Sequence, residues 1–438
     1  MDIFIGIIVG LLVLMILVTA HEFGHFLAAR KNGVNVLEFG IGFPPRACAW
    51  RKDGKTGKWK KLPFKDWKKE KASKVVYSDG KDEHLAQKGM IFSLNWLPIG
   101  GFCQMDGESA VDSRAGTFGK ASFWSKTKIL FAGVTMNWLV AFIIFTILAW
   151  TGMPEFLEGQ FTVPIDTVRE ITPVQVKSVA ENSPAERAGI KADDLIIAVD
   201  GHEFMHGSEI TEYNDTKAGQ EVIYKIKRVE KSCINQPDCY QEPCPCLEEG
   251  DGDVVLELPV TLNQAGSEYL LGVTMATTQA LSYSTWSAPV VGAGLTLQLT
   301  GETFKGVGVM IGNLISGTAR LFSLNEETRE QGQEALSEVR DSVSGPVGII
   351  GILFPAFTSA GPTNLAFLAA LISVSLACMN VLPIPALDGG RWLLIAIYKL
   401  RKKTLTKEIE ERIVSRAFIV LLAIIFIVTI LDIVRIAS

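Results

Sequence analysis

Four long apolar stretches dominate the hydropathy pattern of the chain, at residues 3–20, 129–154, roughly 363–387 and roughly 413–434. A helix needs about 20 apolar residues to cross the hydrocarbon core of a bilayer, and tilt allows some variation in length. The pattern therefore predicts a polytopic α-helical membrane protein. We place its four transmembrane helices at residues 1–30, 126–154, 363–390 and 413–434.

The segment from residue 162 to residue 276 has a globular composition instead. Alternating apolar and polar residues predict four strands, at 174–179, 194–199, 222–228 and 254–262. The run Ser183-Pro184-Ala185 predicts a short helix between the first two strands. The sequence therefore predicts a mainly β domain inserted between two membrane helices.

An insert at 233–246, between the last two strands, contains Cys233, Cys239, Cys244 and Cys246. In an oxidising compartment, four closely spaced cysteines favour two disulfides. A small zinc knuckle is the alternative, although the spacing has no C-x-x-C pair. We favour disulfides, and the sequence leaves both interpretations open.

Composition agrees with membrane residence, because 48% of the residues are hydrophobic and the mean hydropathy is +0.26. The segments 31–125 and 391–412 are rich in Lys and Arg, which places both in the cytoplasm. By alternation, the N-terminus, the inserted domain and the C-terminus are expected outside.

The basic run from Lys58 to Lys74 is interleaved with aromatic residues. Such a run is able to bind nucleic acid or anionic lipid. We interpret it as a solvated cytoplasmic loop, which is the ordinary consequence of the charge rule. The lipid bilayer is therefore an expected partner, and nucleic acid is not.

The sequence HEFGH ends the first apolar stretch. His21 and His25 stand at i and i+4, so both imidazoles lie on one face of a helix and can bind one ion, with Glu22 beside them as a base. Zinc requires a third protein ligand and an open position for water. Buried hydrogen-bonded histidines are the structural alternative, which the cost of placing ionisable groups in a membrane helix disfavours.

Asp388 is the candidate for the third zinc ligand. It follows an uncharged stretch from Ser342 to Leu387, and the surrounding prolines and glycines break the helix. An additional membrane crossing within residues 277–362 would put Asp388 and His21 on opposite faces of the membrane. We therefore predict that 277–362 forms interfacial amphipathic helices on the extracytoplasmic side.

HEFGH in the first span and NVLPIPALDGG at 380–390 resemble the two signature motifs of the site-2 protease family, peptidase family M50B. The order and spacing are similar to the bacterial branch that includes the regulator of sigma-E protease. The resemblance implies that His21, His25 and Asp388 bind Zn²⁺ and that Glu22 is the catalytic general base. It also implies a location in the bacterial inner membrane, with the active site near the cytoplasmic side.

Other segments extend this resemblance. EFGIGFPP at 38–45 and LPIGGFCQMDGE at 97–108 resemble the membrane-associated β-hairpin of the family, and GVTMNW with Asn137 resembles its second-span pattern. By the same resemblance, substrate-binding roles fall to Asn380, Gly40, Gly42, Pro383 and Pro385. For Asn380 the alternative role is a hydrogen bond between helices.

The string VKSVAENSPAERAGIKADDLIIAVDGHEF at 176–204 resembles a bacterial PDZ domain. The likeness as a whole implies a zinc endopeptidase that cleaves single-pass membrane proteins, such as anti-sigma factors, and signal-peptide remnants. The PDZ domain would contact the substrate or a peptide tail. The competing hypothesis is a membrane scaffold or zinc carrier without enzymatic activity.

Overall fold

The computed structural model describes residues 2–52, 57–62, 90–107, 114–157, 159–171, 174–204, 207–229, 253–264, 266–267, 269–275, 280–323, 325–342 and 345–437. The chain divides into two compact units. The first comprises Met1–Thr151, Phe161–Val163 and Thr285–Ser438, and the second comprises Gly152–Gln160 and Pro164–Ser284.

The helices, in chain order, are α1 (Asp2–Lys31), α2 (Phe123–Thr151), α3 (Pro184–Arg187), α4 (Gly207–Thr216), α5 (Ala288–Leu321), α6 (Glu326–Ser342), α7 (Pro346–Gly348), α8 (Phe354–Ser359), α9 (Pro362–Val381), α10 (Asp388–Leu400) and α11 (Lys407–Ala437). A π-helical turn, Ile349–Leu353, joins α7 to α8. The strands are β1 (Val36–Lys52), β2 (Trp59–Lys61), β3 (Ile91–Met105), β4 (Met153–Pro154), β5 (Val168–Ile171), β6 (Val174–Val179), β7 (Leu195–Val199), β8 (Glu221–Val229), β9 (Asp253–Thr261), β10 (Val273–Met275) and β11 (Ala280–Tyr283).

Four helices in the described part of the chain are long and apolar enough to cross a membrane: Ile3–Lys31, Phe123–Thr151, Pro362–Val381 and Lys407–Ile430. They correspond to the four predicted spans. The third ends earlier than predicted, at Val381, and Asp388 begins the separate helix α10. Much of the predicted loop at 391–412 is therefore helical.

Small residues bring the helices of the first unit together, as expected where helices pack without a hydrophobic driving force. A Cβ atom at Gly24 would lie 2.3 Å from the carbonyl oxygen of Ala132, so α1 and α2 are in backbone contact at that point. Gly10 packs in the same way on the Phe354 ring of α8, and Gly292 of α5 on Thr146 of α2.

The described part of the region 277–362 is largely helical, in α5, α6, α7, α8 and the π-helical turn between α7 and α8. The interfacial, extracytoplasmic position of these helices stays a prediction. Val291, Leu295 and Leu299 of α5 are buried, as is Phe354 of α8. These residues pack within the helical unit because the glycines allow α5 and α8 to approach α2 and α1 closely.

Strands β1 and β3 form an antiparallel pair, with β2 on the other edge of β1. Gly40 lies beside both Phe102 and Ser93 in this pairing. A charged pair is buried inside the sheet: Arg46 donates from Nε to Glu38 Oε1 at 3.0 Å and from Nη2 to Glu38 Oε2, and Ser93 Oγ donates to Glu38 Oε1 at 2.6 Å. These hydrogen bonds satisfy the buried carboxylate and join β1 to β3 at this point.

The second unit is built on a five-stranded sheet in the order β10-β6-β7-β8-β9. Each of the four strands predicted from alternation is present. The alternating apolar side chains form its core, which includes Val174, Val176, Ile196, Tyr224 and Val260. A smaller sheet has the order β4-β11-β5.

Two pairs of polar side chains form hydrogen bonds beside this core. The Tyr224 hydroxyl donates to Asn214 Oδ1 at 2.7 Å, and Arg228 donates from Nε and Nη2 to the buried Asp194 carboxylate at 2.7 and 2.6 Å. Buried polar groups that are satisfied in this way fix one arrangement of the surrounding strands. The predicted cysteine-rich insert at 233–246 lies outside the described residues.

Candidate metal centre

Helix α1 carries His21, Glu22 and His25 in its last third. The four-residue spacing places the imidazoles one turn apart on the same face. Both rings are buried, and their Nε2 atoms are 3.1 Å apart. The two nitrogens therefore converge on one point, as the motif predicts.

Asp388 joins them from the first turn of α10. Its Oδ2 atom lies 3.0 Å from His21 Nε2 and 3.2 Å from His25 Nε2. The contact spans 367 positions along the sequence. The structure thus brings the three predicted ligands together.

The break between α9 and α10 depends on the residues that flank Asp388. Pro383 and Pro385 have no N–H group to continue the α9 hydrogen bonding. A Cβ atom at Gly389 would lie 2.1 Å from the Val381 carbonyl oxygen, and one at Gly390 would lie 2.0 Å from that of Ile384. Only glycine allows the backbone to turn so tightly that α10 starts beside α1.

Two imidazole nitrogens and one carboxylate oxygen are a donor set that zinc prefers. Neighbouring ligand atoms of a tetrahedral zinc ion are about 3.3–3.6 Å apart, given metal–ligand distances of about 2.0–2.2 Å. The observed separations of 3.0–3.2 Å are slightly shorter than this range, so a small outward shift of the side chains accommodates such an ion. Three protein ligands leave one position for water or substrate.

The ring of His25 is oriented from its other nitrogen. Its Nδ1–H donates to the carbonyl oxygen of Ile129 on α2 at 2.8 Å. Because a neutral imidazole carries one proton, this bond leaves the lone pair of Nε2 free to face Asp388 and His21. The motif gave no sign of this contact, since Ile129 contributes only its backbone.

Glu22 is held beside the cluster by the β1–β3 sheet. Its Oε2 atom accepts a hydrogen bond from the backbone N–H of Cys103 on β3 at 3.0 Å. The carboxylate is only partly exposed. One strand residue therefore fixes the side chain that the sequence predicted as a base.

Helix α2 contributes two residues that the motif reasoning did not assign to the site. A Cβ atom at Gly133 would lie 2.6 Å from Nε2 of both histidines. Asn137, one turn later, is buried with its amide 3.3 Å from His21 Nδ1. The pattern GVTMNW was the only sign of either residue in the sequence.

A model of "Peptidase family M50" matches residues 9–64 and 83–425 of the chain. The chain belongs to this family. Full-length relatives include proteins named "Putative zinc metalloprotease" from Clostridium perfringens, 26% identical with 98% of each chain covered, and Agrobacterium fabrum, 25% identical with 92% of this chain and 88% of that protein covered. A relative of the same name from Staphylococcus aureus is 25% identical over 99% of both chains.

The M50 assignment identifies the chain as a multi-pass membrane metalloprotease of the site-2 protease family, and zinc as its cofactor. The predicted cofactor is thereby confirmed. The assignment supports a metalloprotease over the predicted alternative of a scaffold or carrier without enzymatic activity.

The M50 protein places its predicted substrate-binding residues in two regions. Gly40 and Gly42 lie in β1, where Gly42 has a φ of +74° and a Cβ at Gly40 would lie 2.3 Å from the Phe102 ring. Pro383 and Pro385 form the turn before Asp388. Asn380 is half-buried at the end of α9, and its Nδ2 donates to the Leu376 carbonyl oxygen at 3.0 Å. The close approach of the Phe102 ring accounts for a glycine at position 40, and the positive φ accounts for one at position 42. The contact of Asn380 lies within its own helix.

Proposed function

We propose that this chain is an intramembrane endopeptidase in which His21, His25 and Asp388 hold zinc and Glu22 is the general base. The observation that carries the proposal is the convergence of the three ligand atoms, 3.0–3.2 Å apart, between the last turns of one candidate membrane helix and the break that follows another. Ionisable groups buried at such a position cost free energy, and their presence therefore indicates a function.

Bound zinc supplies Lewis acidity toward a peptide carbonyl and a water molecule. The protein residues hold the metal and transfer the proton. Glu22 takes a proton from the attacking water and delivers it to the leaving amine. The Cys103 N–H keeps one carboxylate oxygen of Glu22 in place, so the other oxygen is available for this transfer.

The substrates are proposed to be single-pass membrane proteins of the anti-sigma-factor kind and signal-peptide remnants. A helix hides its carbonyls in internal hydrogen bonds, so the scissile segment has to unwind before its carbonyl group is accessible beside Glu22. β3 lies beside Glu22 and is an edge strand in the described sheet order, which suits pairing with an extended substrate. In this proposal Asn380, Gly40, Gly42, Pro383 and Pro385 line the path of that segment.

The ligand assignment predicts that His21→Ala, His25→Ala and Asp388→Ala each lose zinc. Metal content of the purified full chain, measured after a chelator wash, should fall to background in all three variants. His202→Ala is the matched control, because His202 lies in the second unit and should leave the zinc content unchanged. A ligand variant with parental zinc content would refute the assignment of that residue.

We also propose that the second unit is an extracytoplasmic PDZ domain that reads a substrate tail or excludes untrimmed substrates. Its support is the five-stranded antiparallel sheet with two short helices, together with the basic residues of the segments before and after it.

In right-side-out membrane vesicles of the bacterial inner membrane, added protease should remove residues 153–284 and leave the membrane helices intact. Vesicles treated in this way should then cleave substrates with long extracytoplasmic tails faster than untreated ones. Protection of the unit in such vesicles, combined with digestion in inverted ones, would contradict this orientation.

A further inference from the structure

Asn137 is a buried polar side chain to which the proposed chemistry gives no role. It lies on α2 and has 0% of its surface exposed. Its Nδ2 atom is 3.3 Å from His21 Nδ1, and its Oδ1 atom has no hydrogen-bond partner among the described residues. The backbone carbonyl of Asn137 accepts a hydrogen bond from Ser373 Oγ on α9 at 2.9 Å, which holds α2 at this level.

The position of the proton on the His21 ring determines which atom of the Asn137 amide can form a hydrogen bond with Nδ1. A neutral imidazole carries its single proton on one nitrogen and a lone pair on the other. With the proton on Nε2, the ring donates to Asp388 Oδ2 at 3.0 Å and accepts from Asn137 Nδ2. A ligand histidine, in contrast, needs the lone pair on Nε2 and therefore carries its proton on Nδ1.

In that second tautomer, Nδ1–H and Asn137 Nδ2 would be two donors facing each other. A half-turn of the amide replaces Nδ2 by Oδ1, which accepts from Nδ1–H. The amide oxygen and nitrogen have nearly the same size and shape, so the half-turn requires no backbone movement. His21 then has the same arrangement as His25, whose Nδ1–H donates to the Ile129 carbonyl oxygen.

We propose that Asn137 is a positioning residue that holds His21 in the metal-binding tautomer by accepting a hydrogen bond from Nδ1–H through Oδ1. Because the amide can donate from Nδ2 or accept through Oδ1, it also forms a hydrogen bond with Nδ1 of His21 before the metal binds. The inference rests on the proposed assignment of His21 as a zinc ligand. It concerns metal retention and goes beyond the roles of the ligands and the base.

The test compares zinc affinity in the purified full chain with Asn137→Leu and Asn137→Asp. Removal of a hydrogen bond that orients a ligand typically costs about 10–100-fold in metal affinity. We therefore expect Asn137→Leu to bind zinc about 10–100-fold more weakly in competition with a chelator. Asn137→Asp keeps an acceptor facing Nδ1–H and should bind zinc at least as tightly as the parent.

Ser373→Ala is the matched control. It removes a buried hydrogen bond to the backbone of Asn137 without touching His21, so it should alter thermal stability more than zinc affinity. A purely structural role of Asn137 would instead make the zinc affinities of Asn137→Leu and Ser373→Ala follow their losses of stability. Zinc binding by Asn137→Leu equal to that of the parent would overturn the inference.

A second measurement covers the case in which Asn137→Leu fails to fold. In the parent labelled with ¹⁵N-histidine, zinc loading should move one ring proton from Nε2 to Nδ1, and Asn137→Asp should shift that Nδ1 resonance. A zinc-loaded parent in which no Nδ1 resonance responds to Asn137→Asp would also overturn the inference. Zinc retention by His21→Ala would show that the ligand assignment itself is wrong. If His21→Ala loses zinc while Asn137→Leu binds zinc as tightly as the parent, only the role of Asn137 is rejected.

Discussion

Glu22→Gln should lower the rate of peptide-bond cleavage by about 10²–10⁴-fold while the zinc content stays at the parental level. This is the range by which a positioned general base accelerates such a step. Gln has the same shape as Glu and can still accept the hydrogen bond from the Cys103 N–H, so the geometry is retained. It has no basic oxygen with which to take a proton from water.

The measurement is single-turnover cleavage of a single-pass membrane substrate by the purified chain, together with its metal content. Glu302→Gln on α5 is a matched control, because its side chain is exposed and should leave both quantities unchanged. A Glu22→Gln variant that cleaves at the parental rate would refute the assignment of the base. Loss of zinc from this variant would show instead that Glu22 takes part in holding the metal.

The Glu22→Gln variant can also be used to identify the substrates. An inactive chain that retains zinc should hold its membrane substrates longer than the active one, because the step that releases the products is blocked. Cross-linking of Glu22→Gln in its native membrane and mass spectrometry of the captured proteins would identify them. Capture of soluble peptides alone would contradict the proposed substrate class.

Gly133→Ala should reduce the cleavage rate by about 100-fold or more and weaken zinc binding. The added methyl carbon would lie 2.6 Å from Nε2 of both His21 and His25, well inside van der Waals contact. The rings have little room to move, because His25 is bonded to the Ile129 carbonyl oxygen and both face Asp388. A displacement of about 1 Å in a catalytic site is able to cost about 10²-fold in rate.

Gly308→Ala on α5 is the control for this substitution, since a Cβ at Gly308 has no neighbouring atom within 4 Å. Both substitutions improve helix propensity by about 1 kcal/mol relative to glycine, so this gain cancels in the comparison. Zinc affinity and cleavage rate are measured for both variants. Parental zinc affinity and rate in Gly133→Ala would show that α2 is able to move away from the histidines.

Several features of the fold followed from the sequence because they depend on local periodicity. The membrane helices are recognisable from apolar length alone, and the described part of the chain contains four helices of that kind. The strands of the second unit follow from alternation, as in Val174–Val179, where apolar side chains at every second position are buried. His21 and His25 were paired by helical spacing, and Asp388 was selected as the ionisable residue at a predicted helix break.

The sequence was less informative wherever a contact involves backbone or a glycine. The end of α9 at Val381 depends on carbonyl oxygens that only Gly389 and Gly390 can approach. The packing of α5 and α8 inside the helical unit depends on Gly292 and Gly10. Hydropathy averages over such positions, so it does not show which helices pack against each other.

HEFGH and the break at Asp388 by themselves predicted which side chains have the chemistry of a zinc protease, because residue type and helical spacing are local properties. The tertiary structure decided how those side chains are held. It placed the Ile129 carbonyl oxygen behind His25, the Cys103 N–H on Glu22, and Gly133 and Asn137 against the two imidazoles. These contacts join residues about 80 to 116 positions apart, and two of them use backbone atoms that every residue type shares. No local pattern of side chains specifies such contacts, so only the packing of α2 and β3 against α1 reveals them.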